Sequence, residues 1–258
     1  MAQFSGSVYI EEDGSVVGTD KIQRNGDIYT LTGNISGGIQ VQRSYIVIDG
    51  AGYTVQGNGD ASGRGIDLSN DRGSDTSRPK ICNVTVKNMR IVNFNRGIEN
   101  VNTGNNTIVG NYIADCFTGI NIIGSPNNVI IKNNTLANNV NGISIAYSGG
   151  TQIITENNLI NDIVSSNNVI IVWLSPEPTV SRNYWSDYNG TDSDGDGVGD
   201  TPYMFMNTDY AKYVDNHPLM EPVPVIPEFP SSIILQLILI ATLAIIMYKK
   251  RLTRKTVC

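Results

Sequence analysis

The chain is 258 residues long, with 16% charged residues and a formal net charge of −6. That length allows one elongated domain plus a tail. The acidic balance argues against a nucleic-acid partner, which needs a basic face. Asn and Gly take the place of charge, a composition of strands and turns rather than of helices.

Residues 1–38 read as an N-terminal cap. Met1-Ala-Gln-Phe-Ser-Gly has neither a basic start nor an apolar core, so no secretory leader is visible in this chain. Val8-Tyr-Ile and Ile28-Tyr-Thr-Leu-Thr are expected to pair as short strands. A stacked sheet needs such a cap, because its first coil otherwise exposes unpaired N–H and C=O groups.

Residues 39–182 read as the body of the molecule. Strand signals at Ile39-Gln-Val-Gln and Tyr45-Ile-Val-Ile flank turn formers at Asp49-Gly50 and Ala51-Gly52. Gly65-Ile66-Asp-Leu closes that coil, and the polar stretch 69–80 reads as an inserted loop. From residue 81 a repeat of 22 or 23 residues sets in, with Gly97-Ile98, Gly119-Ile120 and Gly142-Ile143 in register. A fixed period of this length means stacked supersecondary units.

Alternation within each coil predicts inward side chains at Val84, Val86, Ile91, Ile98, Ile108, Ile113, Ile120, Ile122, Val129, Ile131, Leu136, Ile143 and Ile145. Five or six coils about 4.8 Å apart would make a prism roughly 25–30 Å long. Two Asn columns are expected to be structural. One is Asn93, Asp115, Asn138 and Asn161, and the other Asn88, Asn111, Asn134 and Asn157 or Asn158. The pattern is expected to break after Pro176 and Pro178. Cys82, Cys116 and Cys258 have no metal-ligand spacing, leaving open buried small hydrophobes or a Cys82–Cys116 disulfide.

Residues 183–220 read as an exit cap with an Asp-rich loop. Asp192, Asp194 and Asp196 alternate, followed by Gly197, Val198 and Asp200. This is the first half of an oxygen-ligand calcium loop, with Val198 offering its carbonyl and Asp200 a direct or water-mediated contact. Tyr203 stands where a full EF-hand has Glu, so another oxygen would be needed, from Asp187, Asn189 or Asp215.

Residues 221–230 form a Pro-rich linker. Residues 231–248 carry no charge and span about 27 Å as a helix, close to the thickness of a bilayer core. Lys249, Lys250, Arg251, Arg254 and Lys255 follow, so residues 249–258 are expected in the cytoplasm and the remainder outside. On an external domain, the sequons at Asn34, Asn83, Asn105, Asn133 and Asn189 are glycosylation candidates.

The Asn/Gly/Ile coils resemble the right-handed parallel β-helix repeats of the pectate-lyase-like superfamily, and especially NosD-type surface proteins. Asn183-Tyr-Trp-Ser-Asp-Tyr-Asn-Gly, the Gly-Asp-Gly-Val-Gly-Asp-Thr-Pro-Tyr run and His217-Pro-Leu-Met resemble the segment that closes archaeal NosD-like surface proteins. Pro227, Glu228, Phe229 and Pro230, ahead of the apolar stretch and basic tail, resemble a PEF-type sorting signal. That resemblance implies processing by an archaeosortase and a membrane anchor. The copper role of NosD does not carry over, since the chain has one histidine, His217, and copper delivery needs soft or imidazole ligands.

Hydrolysis needs paired carboxylates on one cleft, and lyase chemistry needs acids near a base. Asp67, Asp71 and Asp75 near Arg64 and Arg72 form the main charged cluster of the coils, without a recognisable catalytic pattern. Asp115, Glu99, Glu156 and Asp162 differ in coil and phase. The sequence therefore predicts an all-β, single-stranded right-handed parallel β-helix with a C-terminal transmembrane helix. It is expected to be non-catalytic, cell-surface-anchored and structural or glycan- or partner-binding. A polysaccharide lyase or hydrolase is the alternative. The enzyme reading gains if Arg64, Asp67 and Asp115 converge in a cleft.

Overall fold

A computed structural model describes residues 8–69, 81–125, 127–161, 170–173, 175–207 and 212–224. The chain winds as a parallel β-helix whose coils contribute one strand to each of three sheets. Sheet I runs from Val8–Ile10 through Ile39–Val41, Arg64–Asp67, Arg96–Val101, Thr118–Ile123 and Asn141–Ala146 to Ile170–Trp173. Sheet II runs from Ile28–Leu31 to Thr179–Ser181, and sheet III from Ile35–Ser36 to Tyr184–Trp185. Each of these strands pairs in parallel with the strand one coil away, so the backbone bonds run along the axis.

Alternation produces the interior. Ile66, Ile98, Ile120, Ile143 and Ile170 stack in sheet I, all at 0% exposure. Val86, Ile108 and Ile131 stack in sheet II, and Ile91, Ile113 and Leu136 in sheet III. All thirteen side chains expected to face inward are fully buried. Each such burial is worth roughly 1.5–3 kcal/mol before chain entropy is subtracted. β-Branched residues suit the site because they are stiff and fill a pleated surface.

The Gly-Ile pairs have a steric cause. A Cβ on Gly97 would meet the carbonyl oxygen of Gly119 and the Ile113 Cγ2 methyl, each at 2.6 Å. A Cβ on Gly119 would meet the Gly142 carbonyl at 2.7 Å. The chain enters sheet I too tightly for a side chain, so the glycine repeats with the coil.

The first Asn column turns outward. Asn93, Asp115, Asn138 and Asn161 take φ of 64°, 55°, 57° and 50°, at the corner leading from sheet III toward sheet I. Asn and Asp tolerate this left-handed conformation best after Gly. The second column differs from expectation by one residue. Asn88 is at φ 52° and belongs to a left-handed corner with Gly110, Asn133, Glu156 and Arg182. The buried amide ladder consists of Asn111, Asn134, Asn157 and Asn183, all at 0% exposure. Asn134 Nδ2 donates to the Ile108 carbonyl at 2.8 Å and to Asn157 Oδ1 at 3.0 Å, and its own Oδ1 accepts from Asn111 N and Nδ2 at 3.0 Å.

The ends depart from the expected boundaries. Ile28–Leu31 and Ile35–Ser36 already belong to the first coil, so winding begins near residue 28 rather than 39. Val8–Ile10 does not pair with Ile28–Leu31. It joins sheet I beside Ile39–Val41, while Ile22–Asn25 caps sheet II as an antiparallel hairpin strand. At the other end Thr179–Ser181 and Tyr184–Trp185 add strands in register after Pro176 and Pro178, so the coils run past residue 182.

A hairpin of Tyr203–Asn207 and Lys212–Asp215 then closes the stack. Trp185, at 1% exposure, lies against Tyr203 and Phe205 with ring centroids at 4.4 and 5.7 Å. Asp215, also fully buried, ends the amide ladder by accepting from Asn183 N at 3.0 Å, Asn183 Nδ2 at 3.2 Å and Trp185 Nε1 at 3.1 Å.

Cys82 and Cys116 are both free thiols. Among the described residues no helix is long and apolar enough to cross a membrane. The expected span 231–248, the basic tail 249–258 and most of the linker lie outside the described residues, as do Cys258 and most of the inserted loop.

Candidate functional site

Three places collect chemistry, and coil register explains two of them. The first is the Asp-rich loop. Asp192, Asp194 and Asp196 each present a carboxylate oxygen within 4.8 Å of the others. Gly195 and Gly197, at φ 75° and 82°, fold the loop back so that their N–H groups reach Asp192 at 2.8 and 2.9 Å. Only three of the five expected ligand residues converge with their side chains. Asp200 turns the other way and accepts from Ser193 N and Oγ at 2.9 and 2.7 Å. These Ser193 bonds hold the Asp200 carboxyl below its ordinary value. Val198 sits at the half-buried edge, its N–H on Asp196 Oδ1 at 2.8 Å and its backbone bridged to Leu219. Asp187, one of the suggested extra oxygens, is bound to the Tyr203 hydroxyl at 2.9 Å instead. Asp215, another, is sealed in the core. The loop thus has a three-carboxylate mouth suited to a hard cation, with remaining positions left to backbone oxygens or water.

The second place is on the outer face of sheet I. Register stacks Asp67 on Glu99 and Glu99 on Asn121. Both acids are buried, at 8% and 3% exposure. Arg64 Nη1 reaches Asp67 Oδ2 at 3.1 Å, and Arg64 Nη2 lies 3.8 Å from Glu99 Oε1. Arg96 Nε contacts Glu99 Oε2 at 3.1 Å, where Asn121 Nδ2 also donates at 2.8 Å. Asp67 Oδ1 takes the Ser69 N–H at 2.8 Å and a very short bond from its hydroxyl. Burial pushes the Glu99 carboxyl above its ordinary value, against the lowering effect of Asn121 and the two guanidinium groups. Sequence reasoning separated Glu99 from Asp67 because they lie 32 positions apart in coils of unequal length; the register shows them as axial neighbours. Asp115, the third member of the convergence test, lies elsewhere, in the lining of a groove on sheet III. Asp71, Asp75 and Arg72 lie outside the described residues.

The third place is that groove, of about 740 Å³, lined by Asn34, Ile35, Ser36, Thr54, Gln56, Arg90, Val92, Asn93 and Asp115. It was not identified from the sequence, because its walls come from positions 34 to 115 joined only by coil register. Outward positions of sheet III run Thr54, Arg90, Tyr112, Thr135 and Asn158 along the axis. The Arg90 guanidinium lies over the Tyr112 ring at 4.2 Å, which fixes a donor fork at the groove edge. Asn34 Oδ1 accepts from Thr54 N at 2.9 Å, orienting one amide wall. Amides, hydroxyls, one guanidinium and one carboxylate in an open trough can exchange hydrogen bonds with a polyhydroxylated ligand.

Of the glycosylation candidates, Asn34, Asn105 and Asn189 are exposed, whereas Asn83 and Asn133 are half-buried at corners. Asn133 Oδ1 is buried without a hydrogen-bond partner among the described residues. Pro227, Glu228, Phe229 and Pro230 lie outside the described residues. His217 is exposed, its Nδ1 3.2 Å from Ser181 Oγ.

A family model described as a right handed beta helix region matches residues 8–190. No curated protein and no solved structure matches the chain.

Proposed function

The chain belongs to the right-handed beta helix family, and from that premise we propose a non-catalytic, cell-surface-anchored scaffold that binds glycan in the groove of sheet III. The observation that carries the reading is the groove lining: amide, hydroxyl and guanidinium groups held by a rigid wall, with Arg90 fixed over Tyr112. A sugar is recognised by many modest hydrogen bonds from preoriented partners, and rigid coils limit the ordering cost of making them. Equilibrium binding of the full chain to an oligosaccharide panel tests this. Arg90→Ala and Gln56→Ala are expected to weaken the retained ligand at least tenfold. Unchanged binding in both variants would remove the groove from the reading.

In this proposal calcium sits in the mouth of Asp192, Asp194 and Asp196 and stiffens the exit cap; mutual repulsion of three adjacent carboxylates favours a neutralising cation. The proposal also keeps the C-terminal anchor. It rests on the uncharged stretch 231–248, the basic residues after it and the Pro227–Pro230 sorting motif, with an archaeosortase as processing partner. A surface protein or polysaccharide is the expected ligand.

One observation favours the alternative of a polysaccharide lyase or hydrolase: Asp67 and Glu99 are stacked acids, and Glu99 is held toward its protonated form by burial. Against it, each carboxylate oxygen of the pair already has a partner in Arg64, Arg96, Asn121 or Ser69. Release of new reducing or unsaturated ends from a polysaccharide panel, abolished by Glu99→Gln, would favour the enzyme.

A further inference from the structure

Two positions on the sheet III side of the column depart from the repeat by carrying charge, and both line the groove. The outward column of sheet III reads Thr54, Arg90, Tyr112, Thr135 and Asn158 along the axis. The left-handed corner beside it reads Asn93, Asp115, Asn138 and Asn161. Arg90 is the one charged side chain in the strands of sheet III, and Asp115 the one charged member of that corner. Coil geometry asks for neither charge. Asn93 and Asn138 hold the conformation of Asp115, at φ 64° and 57° against 55°, and Thr54 occupies the register position of Arg90.

Neither charge is neutralised within the protein. On the other coil strands Arg64 and Arg96 contact Asp67 and Glu99, Lys87 contacts Asp49, and Lys132 contacts Glu156. Among the described residues Arg90 meets no carboxylate and its side-chain N–H groups reach no protein acceptor; its contact is the Tyr112 ring. Stacking covers a flat face of the guanidinium and leaves open its edge, where the donors lie. The exposed Asp115 carboxylate likewise has no hydrogen bond or ion pair among the described residues. The two charges do not meet each other. Tyr112 is the register partner of Arg90, and Asp115 lies three residues further on, around the corner. One coil and three strand residues leave no more than roughly 11 Å between the two backbones.

The geometry points to an acidic glycan with spaced charges as the ligand class of this groove. One carboxylate or sulfate ester sits on the Arg90 fork, and an uncharged sugar lies at Asp115. Paired N–H groups of a guanidinium match two oxygens of such an anion, and charge-assisted bonds are about twice as strong as neutral ones. Asp115 sets the second requirement, because an anion placed beside it is repelled and loses water without gaining a partner. A chain with an acid on every sugar therefore fits less well than one with isolated acids. This inference rests on the glycan reading of the groove and adds the selectivity to it.

The full chain is titrated by calorimetry with matched oligosaccharides in the gluco, galacto and manno series. Each carries one internal uronate, as the free acid or as its methyl ester, and a third set carries a sulfate ester in its place. In the series that binds, the tighter of the two anions is expected to exceed the methyl ester by at least about tenfold. Arg90→Gln is expected to remove that difference, and Arg90→Lys, which keeps the charge but not the planar fork, to preserve only part of it. Oligomers with a uronate at every position are expected to bind more weakly than the single-acid member. Asp115→Asn, which installs the residue used elsewhere in its corner, is expected to narrow that gap about threefold. Equal affinity for anion and methyl ester, or a preference that survives Arg90→Gln, overturns the selectivity and leaves the glycan reading standing. An unchanged gap in Asp115→Asn overturns the requirement for spaced charge, and no binding by any member overturns both readings.

Discussion

Asn134 shows how one side chain serves two coils. Its amide bonds the coil before and the coil after, so Asn134→Ala orphans the Asn111 N–H in a dry interior and removes the second donor to the Ile108 carbonyl. At about 1–3 kcal/mol for a buried unsatisfied group, the variant is expected to lose roughly 1–3 kcal/mol in urea unfolding. The outward column behaves differently. Asp115→Gly, at φ 55°, is expected to leave stability almost unchanged, while Asp115→Val loses at least about 1 kcal/mol from the strained left-handed backbone. Glu99 adds a pH dependence. Its folded-state pKa lies above the ordinary 4.5, so the native state binds the proton more tightly than the unfolded chain does. Its favourable contribution is present below the unfolded pKa and lost as pH rises through the folded one. Carbon-detected NMR titration is expected to place the Glu99 midpoint above 4.5, and Glu99→Gln should flatten the fall in melting temperature over that window.

At the scale of elements, the coil interior was legible because it follows a period-two rule, and Val84 through Ile145 fall where alternation places them. The Gly-Ile register was legible for the same reason, since close approach at Gly97 recurs at Gly119. The ends were not. Ile28–Leu31 lacks the repeat, yet joins sheet II because a neighbouring strand needs only backbone partners. Asn88 and Asn111 look equivalent in composition, but one residue of phase separates a left-handed corner from the buried ladder. The groove and the Asp67–Glu99 pair were hidden because axial neighbours are set by loop lengths that composition does not reveal. The Asp-rich loop tests the element as a unit. Calcium is expected to raise the melting temperature of the full chain, and Asp194→Ala to abolish the increase; identical melting with calcium and with chelator contradicts a calcium-stiffened cap.

For the whole molecule, the coils form a rigid column whose interior is filled by stacked Ile, Val, Leu and Asn side chains, leaving function to its outer walls and its ends. The sorting proposal is checked on protein recovered from its native membrane. A C-terminus between Pro227 and Ser232 is expected by mass spectrometry, and an intact Cys258 contradicts cleavage while preserving the span. The most direct measurement of the functional account is an NMR titration of the full chain with an oligosaccharide it retains. Binding in the groove predicts shifts centred on Gln56, Arg90 and Tyr112 with the sugar recovered intact. Shifts centred on Asp67 and Glu99, or cleavage of the sugar, would contradict the account.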